Sequence, residues 1–293
     1  MRTALAAICA LACLPVAAAG AATAADAPTR TVRIGSQTIG YRALGTGRPI
    51  VLIQGLAGTI DGWPPSFLDR VVASGHRVVV FDNEGVGRST PAAGTLTIAR
   101  MADDTAALIK ALKLKRPDVV GWSMGGMIAQ SFAVRHPRSL RRLVLLATAP
   151  GDGKAVPPLP DALALLASGD AAGLLGELFP SDKIAARDRY VADILRRKGF
   201  SGIASAAIIS AQLGASAQWL GGGDPEGKRV GRLRLRTLVG GGGKDRLLPI
   251  GNQRHLAKLI PHARLVTYAD AAHGFFFQHE RDFARRMAAF LRR

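Results

Sequence analysis

The chain runs to 293 residues, with a hydrophobic fraction of 48% and a formal net charge of +18. That length suits one large α/β domain carrying an insertion, or two smaller domains. Aromatics make up only 5% and the arginines are scattered, which argues against a base-stacking surface, so no nucleic-acid partner is expected. The charge supports weak attraction to polyanions or anionic envelopes and nothing more specific.

Residues 1–27 read as a secretory signal peptide. Arg2 supplies positive charge, Ala4 to Ala19 is a short apolar run, and small residues follow as far as Ala27. The run is too short and too rich in alanine for a permanent transmembrane anchor. The expectation is an exported chain, periplasmic or secreted, with residues 28–293 as the mature domain. Both cysteines, Cys9 and Cys13, fall inside this segment, so the mature chain has no disulfide, no thiol nucleophile and no cysteine metal site. Lipid attachment at Cys13 fits poorly, because Ala10-Leu11-Ala12 is an ill-suited lead-in and apolar residues continue beyond it.

Strands are predicted at Thr31–Ile34 and Thr38–Ala43, joined by a turn at Gly35-Ser36. A buried strand, Pro49–Ile53, ends at Gln54-Gly55-Leu56-Ala57-Gly58. A helix over Ser66–Ser74 precedes a second buried strand, Arg77–Phe81, which runs into Asp82-Asn83-Glu84-Gly85-Val86-Gly87-Arg88-Ser89. Apolar residues at helical spacing predict a helix over Ile98–Leu114. Asp118-Val119-Val120 then leads into Gly121-Trp122-Ser123-Met124-Gly125-Gly126, a helical stretch follows, and a strand over Leu140–Ala147 closes this half. From about 149 to 232 the rhythm changes to helices without a clear strand, over Asp161–Ala167, Ala171–Leu178, Ala185–Arg197 and Gly202–Leu213. The β/α alternation resumes with a strand at Leu233–Val239, a helix at Ile250–Leu259, a strand at Ala263–Tyr268 and a helix at Glu280–Leu291. Strands alternating with helices imply a mainly parallel sheet covered on both faces, with ligands at the C-terminal ends of its strands. The helical stretch reads as a cap over those ends.

The G-x-S-x-G pattern at Ser123, between a strand and a helix, is a nucleophile elbow. The serine sits in a strained turn, and its glycine neighbours let strand and helix approach closely. The helix that starts there aims its amides at any anion formed beside the hydroxyl. A serine hydroxyl needs a base, and the base needs an orienting carboxylate. His273 and Asp245 each follow a predicted strand after the cap, so both belong to the same sheet edge as Ser123. His76, His136, His255, His262 and His279 lie next to helices instead. Asp270 is too close in sequence to His273 to reach round it, Asp82 suits a turn, and Asp118 begins its strand at the wrong edge. The oxyanion of an acyl-transfer intermediate needs preorganised donors. The backbone N–H groups of Met124 and Leu56 are the candidates. No dinucleotide fingerprint and no clustered His/Asp ligand set is present, so no cofactor and no metal is expected.

Together the elbow, the Asp82–Ser89 turn, Lys244-Asp245-Arg246-Leu247-Leu248-Pro249 and Ala272-His273-Gly274 make the chain similar to the α/β-hydrolase fold superfamily over Thr31–Leu291. The resemblance is to small serine esterases, perhydrolase-type non-haem haloperoxidases and related lactone or C–C bond hydrolases. It implies a mostly parallel sheet flanked by helices, a helical cap insertion, and hydrolysis of a small carboxylic ester or lactone through an acyl-enzyme on Ser123. The same triad also serves perhydrolysis and C–C bond cleavage, and a binding module without turnover is the remaining alternative. Two positions depart from the family pattern: Gln54 stands where the oxyanion loop usually begins with His, and Glu84 where the turn after Asp82 usually carries Arg. A serine nucleophile argues against the haloalkane dehalogenase and epoxide hydrolase branches.

Overall fold

The computed structural model describes residues 23–168 and 170–292. Up to the elbow the chain forms β1 (Arg30–Ile34), β2 (Gln37–Leu44), β3 (Arg48–Ile53), α1 (Pro65–Ala73), β4 (His76–Phe81), α2 (Ile98–Ala111) and β5 (Asp118–Trp122). Then come α3 (Met124–Arg135), β6 (Leu143–Leu146) and four helices in succession, α4 (Pro160–Ser168), α5 (Ala171–Leu178), α6 (Ile184–Leu195) and α7 (Ala206–Leu220). The last third supplies β7 (Thr237–Gly242), α8 (Gly251–Leu259), β8 (Ala263–Tyr268), α9 (Phe275–Gln278) and α10 (Glu280–Arg292). The eight strands make one sheet in the order β1-β2-β4-β3-β5-β6-β7-β8. Only the β1–β2 and β2–β4 pairs are antiparallel.

Alternation along the strands divides the core between the two faces of the sheet. Val51, Ile53, Val79, Phe81, Val119 and Leu145 pack on one side with Met101, Leu108 and Phe132 from α2 and α3. Ile50, Leu52, Val78, Val80, Val120 and Leu146 pack on the other with Phe67, Met287 and Phe290 from α1 and α10. Because strands from β3 to β6 are buried on both faces, they read as unbroken Val/Ile/Leu runs, as parallel strands do.

Several boundaries move from their sequence positions. The strand expected at Leu233–Val239 is β7 at Thr237–Gly242, so it carries three glycines into the sheet. The helix expected from Gly202 is α7, which starts four residues later. Gly202 has φ +106°, and Ser205 is the true N-cap, its hydroxyl accepting the Ile208 N–H at 3.3 Å. The one-turn helix α9 had no periodic signal in Phe275-Phe276-Phe277, since all three rings are buried.

Most of the expected leader, residues 1–22, lies outside the described residues. Of its last five, Ala24, Ala25 and Ala27 are buried. The Ala24 N–H donates to Asp69 at 2.8 Å, and the Ala24 carbonyl accepts from Arg197 at 3.2 Å. Among the described residues no helix is long and apolar enough to cross a membrane.

Candidate active site

Ser123 stands between β5 and α3 with φ +58° and ψ −125°, a backbone conformation costly for any residue with a Cβ. The surroundings hold it there. The Ser123 N–H donates to the Leu146 carbonyl of β6 at 2.9 Å. Gly121 lies against the Gly125 carbonyl, and Gly125 against the Ile53 carbonyl, with no room for a Cβ at either. A Cβ on Gly126 would come within 2.5 Å of the Thr148 side chain. The glycines of the elbow are thus required by the close approach of β5, α3 and β3.

His273 and Asp245 meet at the same sheet edge. The His273 ring is bonded through Nδ1 to Asp245 Oδ2 at 2.8 Å, with both side chains almost wholly enclosed. The other carboxylate oxygen, Oδ1, accepts the Leu248 N–H at 2.8 Å, so the loop after β7 fixes the acid's orientation. Trp122 Nε1 donates to the His273 carbonyl at 3.3 Å, and the Trp122 and His273 rings lie 5.6 Å apart. The backbone of the histidine loop is also pinned from α5: His273 N–H donates to Glu177 O at 3.2 Å and Gly274 N–H to Leu178 O at 2.9 Å.

Ser123, Leu56, Met124 and His273 line one cavity of about 460 Å³. Among the described residues no direct hydrogen bond joins Ser123 Oγ to the His273 ring; the two side chains share the cavity wall, as catalytic pairs often do before substrate tightens them. The Met124 N–H is the first amide of α3 and has no acceptor within its own helix. The Leu56 loop is shaped by a second left-handed residue, Ala57, with φ +57°. Its N–H donates to Gln212 Oε1 of α7 at 2.7 Å.

The two departures from the family pattern have physical roles. Gln54 accepts its neighbour Gly55 N–H on Oε1 at 2.9 Å and donates from Nε2 to Thr59 O at 3.2 Å, bridging the base of the loop that carries Leu56. Gly58 and Gly62 leave room for that side chain. Asn83 Nδ2 donates to the Gln54 carbonyl at 3.1 Å and ties the loop to β4. Glu84 is buried away from the cavity, ion-paired to Arg100 at 2.6 Å. Burial, and next the neighbouring Glu84, push the Asp104 carboxyl up to about 7.

The rival acids have other work. Asp82 accepts the Ile60 N–H at 2.7 Å and the Arg88 N–H at 3.0 Å, holding the turn, and burial raises its carboxyl to about 6. Asp118 is paired with Arg141 at 2.6 Å at the start of β5. Asp270 bonds His279 at 2.9 Å and Lys183 at 3.0 Å, bracing the loop before His273.

The Leu-rich sequence of the cap suggests an apolar pocket wall from Leu163, Leu165, Leu166, Leu174, Leu175, Leu178, Phe179 and Trp219; of these, Leu163, Leu166, Leu174 and Leu178 line the cavity with Ser123 and the other four do not. Sequence reasoning missed Pro158, Tyr190, Leu213 and Ser216, which line it too. Glu177 is buried beside the histidine loop and bonded to Arg246 at 3.0 Å, and burial raises its carboxyl. Arg246 also bonds Asp161 of α4, so the residue after Asp245 grips two cap helices. One signal was available: Glu177 is the single polar side chain in a helix otherwise of Ala, Gly and Leu.

The sequence of residues 48–280 matches the family model of the alpha/beta hydrolase fold. BpoC of Mycobacterium tuberculosis, named as a candidate non-heme bromoperoxidase, is 32% identical over 251 residues, covering 82% of this chain and 92% of that one. A 2-hydroxymuconate semialdehyde hydrolase of Pseudomonas putida is 30% identical over 278 residues, covering 91% of this chain and 97% of the other. The solved structure of an alpha/beta hydrolase fold protein from Chitinophaga pinensis superposes with a TM-score of 0.84 at 29% identity, over 92% of this chain and 99% of that chain. With its sheet order, its elbow and these matches, the chain belongs to the α/β-hydrolase fold family.

Proposed function

We propose that this hydrolase cleaves a small carboxylic ester or lactone through an acyl-enzyme on Ser123. The observation that carries the reading is the constellation itself: a strained serine and a histidine on one cavity wall, with Asp245 bonded to the far side of the histidine ring. Ser123 Oγ attacks the carbonyl carbon while His273 Nε2 takes its proton. The N–H groups of Leu56 and Met124 hold the oxyanion. Collapse expels the alcohol, which leaves with the proton from His273. Water then attacks the acyl-enzyme, giving its proton to the same nitrogen and returning the serine. Asp245 fixes the tautomer and stabilises the imidazolium. The leucine-lined wall opposite Ser123 suits an apolar acyl chain.

Hydrolysis of a p-nitrophenyl ester series by the wild type, lost in Ser123→Ala, is the expected result. A wild type inactive across the series, or a Ser123→Ala variant of equal activity, would contradict it. The likeness to a named candidate bromoperoxidase and to a semialdehyde hydrolase favours a second reading, in which peroxide replaces water on the acyl-enzyme or the bond cleaved is C–C. Peroxide-dependent bromination in acetate buffer selects perhydrolysis.

We propose the export reading with an earlier boundary, before Ala24 instead of after Ala27. Cleavage at Ala27 would strip Ala24 and Ala27 from the fold and leave Asp69 and Arg197 without those partners. The intact mass of protein from the periplasm or medium reads the new N-terminus. A chain beginning after Ala27 would refute this boundary, and a full-length cytoplasmic chain would refute export.

A further inference from the structure

A second depression, a groove of about 840 Å³ on the outer surface, runs between α6, the start of α1 and the α9–α10 corner. One side chain, Tyr190 of α6, lines both this groove and the cavity at Ser123. Its ring is buried, 5.4 Å from Phe179 and 4.9 Å from Phe277, and its hydroxyl donates to the Gly62 carbonyl at 3.1 Å. Gly62 lines the cavity and Phe277 lines the groove, so the ring stands between the two spaces.

We propose that Tyr190 is a specificity-determining partition: it closes the cavity on the side of the groove and limits the length of acyl chain the enzyme accepts there. Three features suit it to that work. Its burial leaves no room for the ring to swing freely. Its hydroxyl is tied to the backbone of the loop that also carries the proposed oxyanion donor. The helix it stands on is fixed beyond it, since Asp193 Oδ2 accepts the Ser66 N–H of α1 at 2.8 Å. A straight chain running from the cavity toward the groove therefore stops at the ring. With the ring removed, the chain would run through into the groove along Phe277.

The assignment of the ligand as an acyl chain rests on the ester-hydrolase reading, so the test measures binding without turnover. Hexanoate and palmitate are titrated by calorimetry into the wild-type protein, Tyr190→Leu and Tyr190→Phe. Leu keeps apolar bulk against Phe179 and Phe277 where a smaller residue would threaten folding, and the thermal midpoint of each variant reports its integrity. The expected result is a palmitate-to-hexanoate affinity ratio at least about tenfold higher in Tyr190→Leu than in the wild type, because each added methylene gains burial only once the partition is open. Tyr190→Phe should keep the wild-type ratio, since the ring and not the hydroxyl is the barrier. An unchanged ratio in folded Tyr190→Leu overturns the proposal. So does a wild type that already gains affinity steadily up to palmitate, or one that binds neither fatty acid. Failure to hydrolyse esters would sink the functional reading and leave these ratios to judge the partition.

Discussion

The two walls of the Ser123 cavity are held in different ways. The sheet-edge wall is built from backbone: strand ends, glycines packed against carbonyls, and two left-handed residues, Ser123 and Ala57, kept in place by hydrogen bonds to their neighbours. The cap wall is built from leucine side chains and fastened by a few polar ties, Arg246 to Glu177 and Asp161, Asp193 to Ser66, and Gln212 to Ala57. Bond-making chemistry needs atoms fixed to fractions of an ångström, which packed backbone supplies. Apolar recognition tolerates looser placement, and side chains on inserted helices supply it. Substitutions in the first wall should therefore act on kcat, and substitutions in the second on KM and chain-length preference.

The sharpest break in that contrast should come from the proposed triad. Asp245→Asn should lower kcat roughly 10³- to 10⁴-fold with little change in KM, because the imidazole loses its orienting acceptor. Steady-state kinetics on a short p-nitrophenyl ester checks it. Gln212 comes next, and it sharpens the comparison because it is a cap residue that serves the sheet-edge wall. Gln212→Leu should lower kcat about tenfold through a displaced oxyanion loop. Gln212→Glu keeps the acceptor for Ala57 N–H and should recover most of that loss. A change in KM alone would place Gln212 with the apolar wall instead.

Pure cap substitutions should be milder and of the other kind. Leu213→Ala should raise KM for a medium-chain ester by about 5- to 30-fold, the range expected for lost methylene contacts, with kcat nearly constant. The smallest effect concerns pH. The folded protein holds a proton on Asp104 up to about 7, against 3.8 for a free aspartate, through burial and Glu84. A carboxyl raised in this way stabilises the fold most below the unfolded value, and that stabilisation fades as pH rises through the folded value. The wild type should thus lose stability between pH 4 and pH 7.5, and Asp104→Asn should lose less over the same window, as read by urea unfolding. Equal slopes for the two proteins would show that the Asp104 proton has no role.

The sheet-edge wall was largely legible in the chain. Backbone turns leave marks in sequence: glycines on both sides of Ser123, a buried run ending at Ile53, and His273 and Asp245 each just past a strand. The cap wall was legible only in part: the leucines of its helices mark an apolar wall, and Leu163, Leu166, Leu174 and Leu178 do line the cavity. Tyr190 reads as an ordinary helix residue, and its place between two spaces depends on how α6 folds back over Phe277, which no local pattern encodes. Glu84 stands in the sequence only as an acid where the family carries Arg; that it is buried and ion-paired to Arg100 depends on where α2 packs. One helix start in the cap was misplaced for a related reason: Gly202 sits inside a weakly patterned stretch, and only the Ser205 cap marks where α7 begins.

The central claim is that Ser123 is the nucleophile, and the direct measurement is reaction with an alkyl fluorophosphonate followed by peptide mass spectrometry. One phosphonyl group on Ser123 in the wild type, absent from Ser123→Ala, is the predicted result. An unlabelled wild type, or a Ser123→Ala variant that takes up the label equally, would contradict it.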